Sequence, residues 1–198
     1  MQSEYQTIIN QWANDQPLEQ KIVMLFEKVR DIPYGDIGSR DPIDVYKQNK
    51  GTCSGKHELL KGLYKELGLP VKDCLIMHRF KQLSVKFPDE INEILERTDI
   101  IDPHNYFKVK INGKWLTIDV TWDKSLQKLG FPVNENWDGK SDMAVAVALG
   151  GEVYEPEDPI TKKKEIINSF PKLVQEDRKL FLKKTTEWLD HLRENNEI

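Results

Sequence analysis

The stretch Gly51-Thr52-Cys53-Ser54-Gly55 places a cysteine where a helix is expected to begin. The residues that follow carry apolar side chains at helical spacing, at Leu59, Leu60, Leu63, Tyr64 and Leu67. Gly68 and Pro70 then end the helix. A thiol in a first helical turn lies near unpaired backbone N–H groups and the positive end of the helix dipole, and both favour the thiolate. The sequence therefore predicts a reactive cysteine, or alternatively a small buried cysteine without chemistry.

A β-hairpin is predicted further along the chain. Asn112-Gly113 separates two β-rich runs, which is typical of a two-residue type I′ turn. This turn sets the register, with Ile111 opposite Lys114 and Tyr106 opposite Asp119. One face of the hairpin is then wholly apolar and is predicted to be the core face. Its members are Phe107, Val109, Ile111, Leu116, Ile118 and Val120.

The other face of the hairpin is polar and brings His104 and Asp119 together as diagonal neighbours. Asp is depleted in strands, and pairing with His104 would explain why Asp119 lies within a β-rich run. A carboxylate that hydrogen-bonds an imidazole fixes its tautomer and stabilises its charged form, as a general base requires. Taken one at a time, both residues also fit exposed positions at a strand end or a turn.

Cys53, His104 and Asp119, in this order and on these elements, are typical of an enzyme with a thiol nucleophile. On these residues the chain resembles the transglutaminase-like superfamily, which shares its core with papain-like cysteine proteases. The matching pattern is G-x-C, a helix, L-G-[IL]-P, H-x-x-x-x-V, G-x-W and D-x-T, over residues 17–123. Each motif is weak alone, and the combination is specific. The chain departs from the family at Val120, where members often carry proline.

The resemblance implies that Cys53 is the nucleophile, His104 the base and Asp119 the acid that orients the base. It implies thiol-dependent acyl transfer on an amide bond of a protein or peptide, through a thioester and without a cofactor. Water as the second substrate makes this a cysteine protease or amidase, and a lysine amine makes it a protein-glutamine transglutaminase. The sequence leaves both open. A non-catalytic transglutaminase-fold binding or scaffold module, with an idle triad, is the alternative.

Further residues are candidates for supporting roles. The backbone N–H of Cys53 is the predicted oxyanion donor. Gln48 and Trp122 are candidates for a second donor, and Tyr106 is a candidate substrate-binding residue. His57, one helical turn after the thiol, is a candidate for tuning its pKa.

A zinc site is the third hypothesis, because both cysteines have a histidine four residues later, in Cys53/His57 and Cys74/His78. The first pair shares a helix face. The second pair falls in a predicted strand, where positions i and i+4 are about 13 Å apart and do not readily hold one ion. We therefore expect no metal, with His57 lining the helix and Cys74 buried as an apolar side chain.

The composition of the chain limits the classes of protein to which it can belong. The chain has 198 residues, 38% hydrophobic and 31% charged, with a net charge of −4, which indicates a globular protein with a substantial core. A basic patch and a glycine-rich phosphate loop are both absent from the sequence, so no nucleic-acid partner is expected. A signal peptide and a membrane-spanning run are absent too, which predicts a cytoplasmic protein without membrane contact.

The expected fold class is α+β, with N-terminal helices, one bearing the nucleophile, packed on an antiparallel β-sheet and followed by a long C-terminal helix. One domain, 1–198, is expected, with a core over 17–123 and an extension over 124–198. Periodicity and breakers predict helices at 2–13, 18–30, 42–47 and 89–97, a strand at 71–80 and a helix from 171. The region 123–160 is predicted to be mainly loop, with a short buried element at 143–149 and an acidic, solvated turn at 155–159. The C-terminal helix packs on the domain or, alternatively, forms a dimer; the oligomeric state stays open.

Overall fold

The computed structural model describes residues 2–147 and 149–198, and at 149–151 the backbone alone. Its α-helices are α1 (Glu4–Ala13), α2 (Leu18–Arg30), α3 (Pro42–Gln48), α4 (Cys53–Glu66), α5 (Asp89–Arg97), α6 (Pro159–Ser169) and α7 (Lys172–Glu194). Its strands are β1 (Val71–Arg79), β2 (Ile101–Ile111), β3 (Lys114–Ile118) and β4 (Leu149–Tyr154). The fold class is therefore α+β with a long C-terminal helix, as the sequence predicts.

The four strands form one antiparallel sheet in the order β3-β2-β1-β4. The β2–β3 hairpin has the predicted register, with Ile111 opposite Lys114 and Phe107 opposite Ile118. Asn112 and Gly113 both have positive φ, 49° and 82°, as a type I′ turn requires. The predicted core face of this hairpin is buried throughout.

Helix α4 packs on β2 and carries much of the main core. Its Leu59, Leu60, Leu63 and Tyr64 are fully buried beside apolar side chains of α1, α2 and the hairpin. Lys56 is also fully buried, and its ammonium donates to the carbonyls of Arg30, Ile32 and Thr121 at 2.8, 2.8 and 3.0 Å. One lysine thereby joins helix α4 to the end of α2 and to the segment after β3.

A second cluster of buried apolar side chains joins α5, α7 and the segment after β3. Phe181 of α7 is fully buried and lies against Phe80 and Phe87, with ring centroids 4.5 and 5.7 Å apart. Helix α7 therefore packs on the domain, as expected. None of the described helices is both long enough and apolar enough to cross a membrane.

The region 123–160 is more ordered than the sequence indicates. It contains a 3₁₀ turn (Lys124–Leu129), strand β4 and the start of α6. In the predicted buried element, Met143, Ala146 and Val147 are buried without forming a strand or helix, and residue 148 lies outside the described part of the chain. The acidic residues Glu155, Glu157 and Asp158 are exposed, as the sequence predicts, and the segment also has a structural role. Asp158 caps α6, because its carboxylate accepts the backbone N–H groups of Ile160 and Thr161.

Candidate active site

Cys53 is the first residue of α4, as the sequence predicts for a reactive thiol. Thr52 is the N-cap residue, in an extended conformation. The thiol therefore lies among the unpaired N–H groups of a 14-residue helix. Cys53 is only 7% exposed, so this thiol is covered in the structure.

His104 links the thiol to the carboxylate of Asp119. The imidazole Nε2 donates to Asp119 Oδ2 at 2.8 Å, and the ring lies near enough to the Cys53 thiol to lower the pKa of that thiol. Because Nε2 is engaged by the carboxylate, Nδ1 is the nitrogen left for the sulfur. The ring and the carboxylate are both buried. The structure thus brings the three predicted residues together, with the carboxylate bonded to the ring and the thiol near it.

The carboxylate of Asp119 is fixed by the residues that follow it. Its Oδ1 accepts the backbone N–H and the hydroxyl of Thr121, at 3.0 and 2.6 Å, and its Oδ2 accepts the N–H of Ala146 at 2.8 Å. This explains the D-x-T motif, because the threonine closes a ring onto the carboxylate. Asp119 can therefore hold His104 in one orientation.

The surroundings of Cys53 and His104 favour a negative charge on the thiol and a positive charge on the imidazole. Burial by itself would raise the pKa of the Cys53 thiol, but the ammonium of Lys163 and the neighbouring His104 outweigh it and lower the pKa to about 6. Burial would lower the pKa of His104, but the charge and hydrogen bond of Asp119, helped by the thiol, raise it to about 9. Between these values a thiolate faces an imidazolium. This is the form in which such a sulfur is nucleophilic.

His57 does not reach the sulfur. Its Nε2 accepts the N–H of Val120 at 3.1 Å, so Nδ1 carries the proton and donates to the carbonyl of Cys53 at 2.6 Å. The ring joins the first turn of α4 to the segment that carries Asp119. Both nitrogens are used in this way, so Cys53 and His57 do not form the chelating pair on which the zinc hypothesis depended.

Two cations and a carboxylate that were not predicted lie beside the thiol. Lys163 of α6 places its Nζ 4.0 Å from Cys53 Sγ and 3.4 Å from Asp102 Oδ2. Arg178 of α7 donates to the other oxygen of Asp102. All three side chains are largely buried. Burial would raise the pKa of Asp102, but the charges of Arg178 and Lys163 hold it well below its usual range.

A signal for Lys163 was present in the sequence. Asp158-Pro159 is an N-cap followed by proline at the first helical position, the same pattern that Asp41-Pro42 presents before α3. Applied consistently, it predicts α6. The pairing of Lys163 with Asp102, 61 residues earlier in the chain, has no local signal.

Tyr34 is a further residue near the thiol that sequence patterns missed. Burial, followed by the charge of Cys53, raises the pKa of the Tyr34 hydroxyl well above its usual value. Its ring lies against Trp122, with centroids 4.4 Å apart. The indole Nε1 of Trp122 donates to the carbonyl of Ala146 at 2.6 Å, so it is engaged in this structure rather than free as an oxyanion donor.

The structure does not bring the other two candidates to the thiol. Gln48 is the exposed last residue of α3. Tyr106 packs with Cys74, its partner across β1 and β2, and with Ile76 and Val147. Burial and the neighbouring Cys74 raise the pKa of Tyr106 to about 12.

Comparisons with known proteins give resemblances to solved structures. None of the protein-family models matches the chain, and neither does any curated protein sequence. A crystal structure from Cytophaga hutchinsonii, of a protein suggested to be a cysteine protease, is similar over 79% of this chain and 51% of its own, with 17% identity and a TM-score of 0.42. A transglutaminase (TGase) structure is similar over 65% of this chain and 38% of its own, with 19% identity and a TM-score of 0.38.

This chain therefore spans about half of the first similar protein and 38% of the second. Identities below 20% and TM-scores below 0.5 leave the chemistry to be judged from the geometry around Cys53 alone.

Proposed function

We propose that the protein is an enzyme that transfers acyl groups from amide bonds, with Cys53 as nucleophile, His104 as acid and base, and Asp119 as the residue that orients the histidine. The observation that carries this proposal is the hydrogen bond from His104 to the buried carboxylate of Asp119, together with the proximity of the same ring to the thiol. It sits at a helix N-terminus, and the pKa of the thiol is about 6 and that of the imidazole about 9. A merely structural cysteine needs neither partner.

The reaction follows from the protonation states. The thiolate attacks the amide carbonyl carbon, forming the C–S bond while the carbonyl electron pair moves onto oxygen. The backbone N–H of Cys53 stabilises this oxyanion, because a first-turn amide has no partner within its helix. The intermediate then expels the amine, which takes its proton from the imidazolium, and a thioester remains. Water or a second amine, deprotonated by the now neutral His104, attacks the thioester carbonyl. The C–S bond then breaks, which releases the acyl group and restores the thiolate and the imidazolium.

The proposed substrate is a protein or peptide amide. Hydrolysis makes the protein a cysteine protease or amidase, and transfer to a lysine amine makes it a transglutaminase. Both outcomes share the thioester, so one experiment distinguishes them. The protein is incubated with a peptide library, with and without an added primary amine, and the products are identified by mass spectrometry.

The expected result is cleaved or deamidated peptides, or peptides that have gained the amine, and none of these products with the Cys53→Ala variant. Products at equal rates from wild type and Cys53→Ala would refute a thiol mechanism. Absence of products from the wild type, despite a reactive thiol, would favour the second candidate function.

That second candidate is a non-catalytic binding or scaffold module, and the burial of Cys53 favours it. At 7% exposure the sulfur is covered, and α6 contacts β1 and β2 beside it. A substrate has to displace part of this cover before it reaches the thiol.

A further inference from the structure

Lys163 is a buried ammonium group without a close partner among the described residues. Its side chain is 9% exposed, and the contacts recorded for its Nζ are 3.4 Å to Ser54 Oγ, 3.4 Å to Asp102 Oδ2 and 4.0 Å to Cys53 Sγ. Strong charge-assisted hydrogen bonds are about 2.7–2.9 Å long. This ammonium can therefore bind a further anion next to the thiol of Cys53.

The nearest charged partner of Lys163, Asp102, also pairs with a second cation. Asp102 also accepts from Arg178, so two buried cations face one carboxylate. Burying a charge without full pairing is costly, and such sites are commonly completed by a ligand or by charge that develops during a reaction.

The position of Lys163 relative to the sulfur indicates which anion completes the site. In a tetrahedral adduct the acyl carbon is bonded to Sγ, and its oxygen is the next atom along. An ammonium 4.0 Å from Sγ is thus near enough to donate to that oxygen. The side-chain donors expected from the sequence do not compete for this place, because Gln48 is exposed and Trp122 is bonded to Ala146.

We propose that Lys163 is a further catalytic residue, which donates to the oxyanion formed when an acyl substrate bonds to Cys53. This rests on the proposed acyl transfer. The C–S bond forms while the carbonyl electron pair moves onto oxygen. This pair re-forms the C=O bond when the C–N bond breaks and the amine leaves with a proton from His104. The backbone N–H of Cys53 is the second donor.

Access to the thiol is compatible with this role. Pro159 and Lys163 are the buried residues of α6, so little apolar surface holds the helix in place. An acyl donor enters when α6 is displaced, and the helix completes the oxyanion site when it docks again. The site is then formed around the substrate, as in induced fit.

Two small reagents that attack the same sulfur isolate this role. p-Nitrophenyl acetate acetylates a thiol through a tetrahedral oxyanion and releases p-nitrophenolate. Iodoacetamide alkylates it by direct displacement of iodide, and no charge forms on its carbonyl oxygen. Rates of both reactions are measured against pH for wild type, Lys163→Met and Lys164→Met. The last variant is a control, because Lys164 is an exposed lysine on the same helix.

At equal fractions of thiolate, Lys163→Met is expected to be acetylated about 100-fold more slowly than wild type, the usual loss for one oxyanion donor. Its alkylation should be unchanged, and Lys164→Met should match wild type in both reactions. Thermal unfolding of each variant verifies that it is folded.

Three results would overturn the role of Lys163. Acetylation equal to wild type shows that no donor was lost, and equal losses in both reactions show a general effect on the thiol. A gain in both reactions shows that Lys163 only shields the sulfur. If wild type is alkylated but releases no nitrophenolate, the proposed acyl transfer fails as well, and this outcome differs from all three.

Discussion

At the scale of single residues, the site depends on Asp119, which is held at both oxygens before it meets His104. Burial opposes ionisation of this carboxyl, but the charge and hydrogen bond of His104 lower its pKa well below the usual range. The negative charge is thus permanent near neutral pH, and it is what keeps the imidazole protonated beside the thiol.

Replacing Asp119 by Asn tests this dependence. The pKa of His104 should fall because its counter-charge is lost, and the pKa of the thiol should rise because the imidazolium weakens. We expect acyl transfer to decrease by roughly 10³- to 10⁴-fold, as for other triads that lose this charge. The rate of p-nitrophenolate release measures the effect. Asp142→Asn is the control, because Asp142 is exposed and bonds only the N–H of Thr117 among the described contacts; an equal loss there would contradict the account.

At the scale of elements, helix α4 is positioned by buried polar contacts as well as by its apolar face. Lys56 reaches three carbonyls from two other segments, and His57 connects Cys53 to Val120. Burial lowers the pKa of Lys56 to about 7, against the charges of Asp123 and Asp31, which raise it.

Lys56→Met removes the donor from three carbonyls while retaining most of the side-chain volume. Buried acceptors without a donor are costly, so we expect the free energy of unfolding to decrease by about 3 kcal/mol. Urea denaturation measures it. Lys65→Met, at an exposed position of the same helix, should change stability by less than about 0.5 kcal/mol; similar losses in the two variants would show that the three carbonyl contacts contribute nothing.

Helix α6 depends on its cap. Asp158→Ala removes an acceptor from Ile160 and Thr161 and should destabilise the helix by about 1 kcal/mol. Because α6 carries Lys163 to the thiol, amide hydrogen exchange in α6 should become faster while exchange in α4 stays the same. Asp138→Ala removes a similar turn bond elsewhere and should leave α6 unchanged. Unaltered exchange in α6 after Asp158→Ala would contradict the role of the cap.

Elements with strong local signals could be predicted from the sequence. Helices α2 and α5 have the predicted bounds, and the hairpin register follows from Asn112-Gly113 because that turn has few alternatives. Helix α6 was missed because only Pro159 and Lys163 are buried on it, so it has almost no apolar periodicity to detect.

The candidate site could be predicted only in part, because only some of its residues lie in local sequence motifs. Cys53, His104 and Asp119 lie in local motifs. Lys163 and Arg178 meet Asp102 through contacts 61 and 76 residues apart, and such pairs are determined by tertiary packing, which no local pattern encodes.

At the scale of the whole molecule, helix α7 connects the C-terminal part of the chain to the residues around Cys53 through hydrogen bonds and ion pairs. Arg178 pairs with Asp102, and Arg193 donates to Asp123 at 2.8 Å and to the carbonyl of Tyr34 at 3.1 Å. The segment that contains Tyr34 is thus fixed from both sides, because the Tyr34 N–H also donates to Asp123. The extension is part of the structure that surrounds the thiol.

Arg193→Met removes the hydrogen bonds from the end of α7 to Asp123 and to the carbonyl of Tyr34. Hydrogen bonds from a charged donor to partly buried acceptors are lost, and we expect a decrease of about 2 kcal/mol in the free energy of unfolding. Lys172→Met is the matched control on α7, because its side chain is 90% exposed and its ion pair is a surface contact worth little. Chemical denaturation that leaves the Arg193 variant as stable as the control would show that α7 is held by its apolar contacts alone.

The most direct measurement is the rate of iodoacetamide alkylation at each cysteine as a function of pH, followed by mass spectrometry of the labelled peptides. The thiolate of Cys53 forms as pH rises through its pKa, so its alkylation should increase with a midpoint near pH 6. Acyl transfer should share this rise and decrease above about pH 9, where His104 loses the proton that the leaving amine needs. Cys74, whose pKa burial raises, is the internal control and should be modified only at higher pH. A Cys53 midpoint near pH 9, or parallel labelling of both cysteines, would contradict an activated nucleophile.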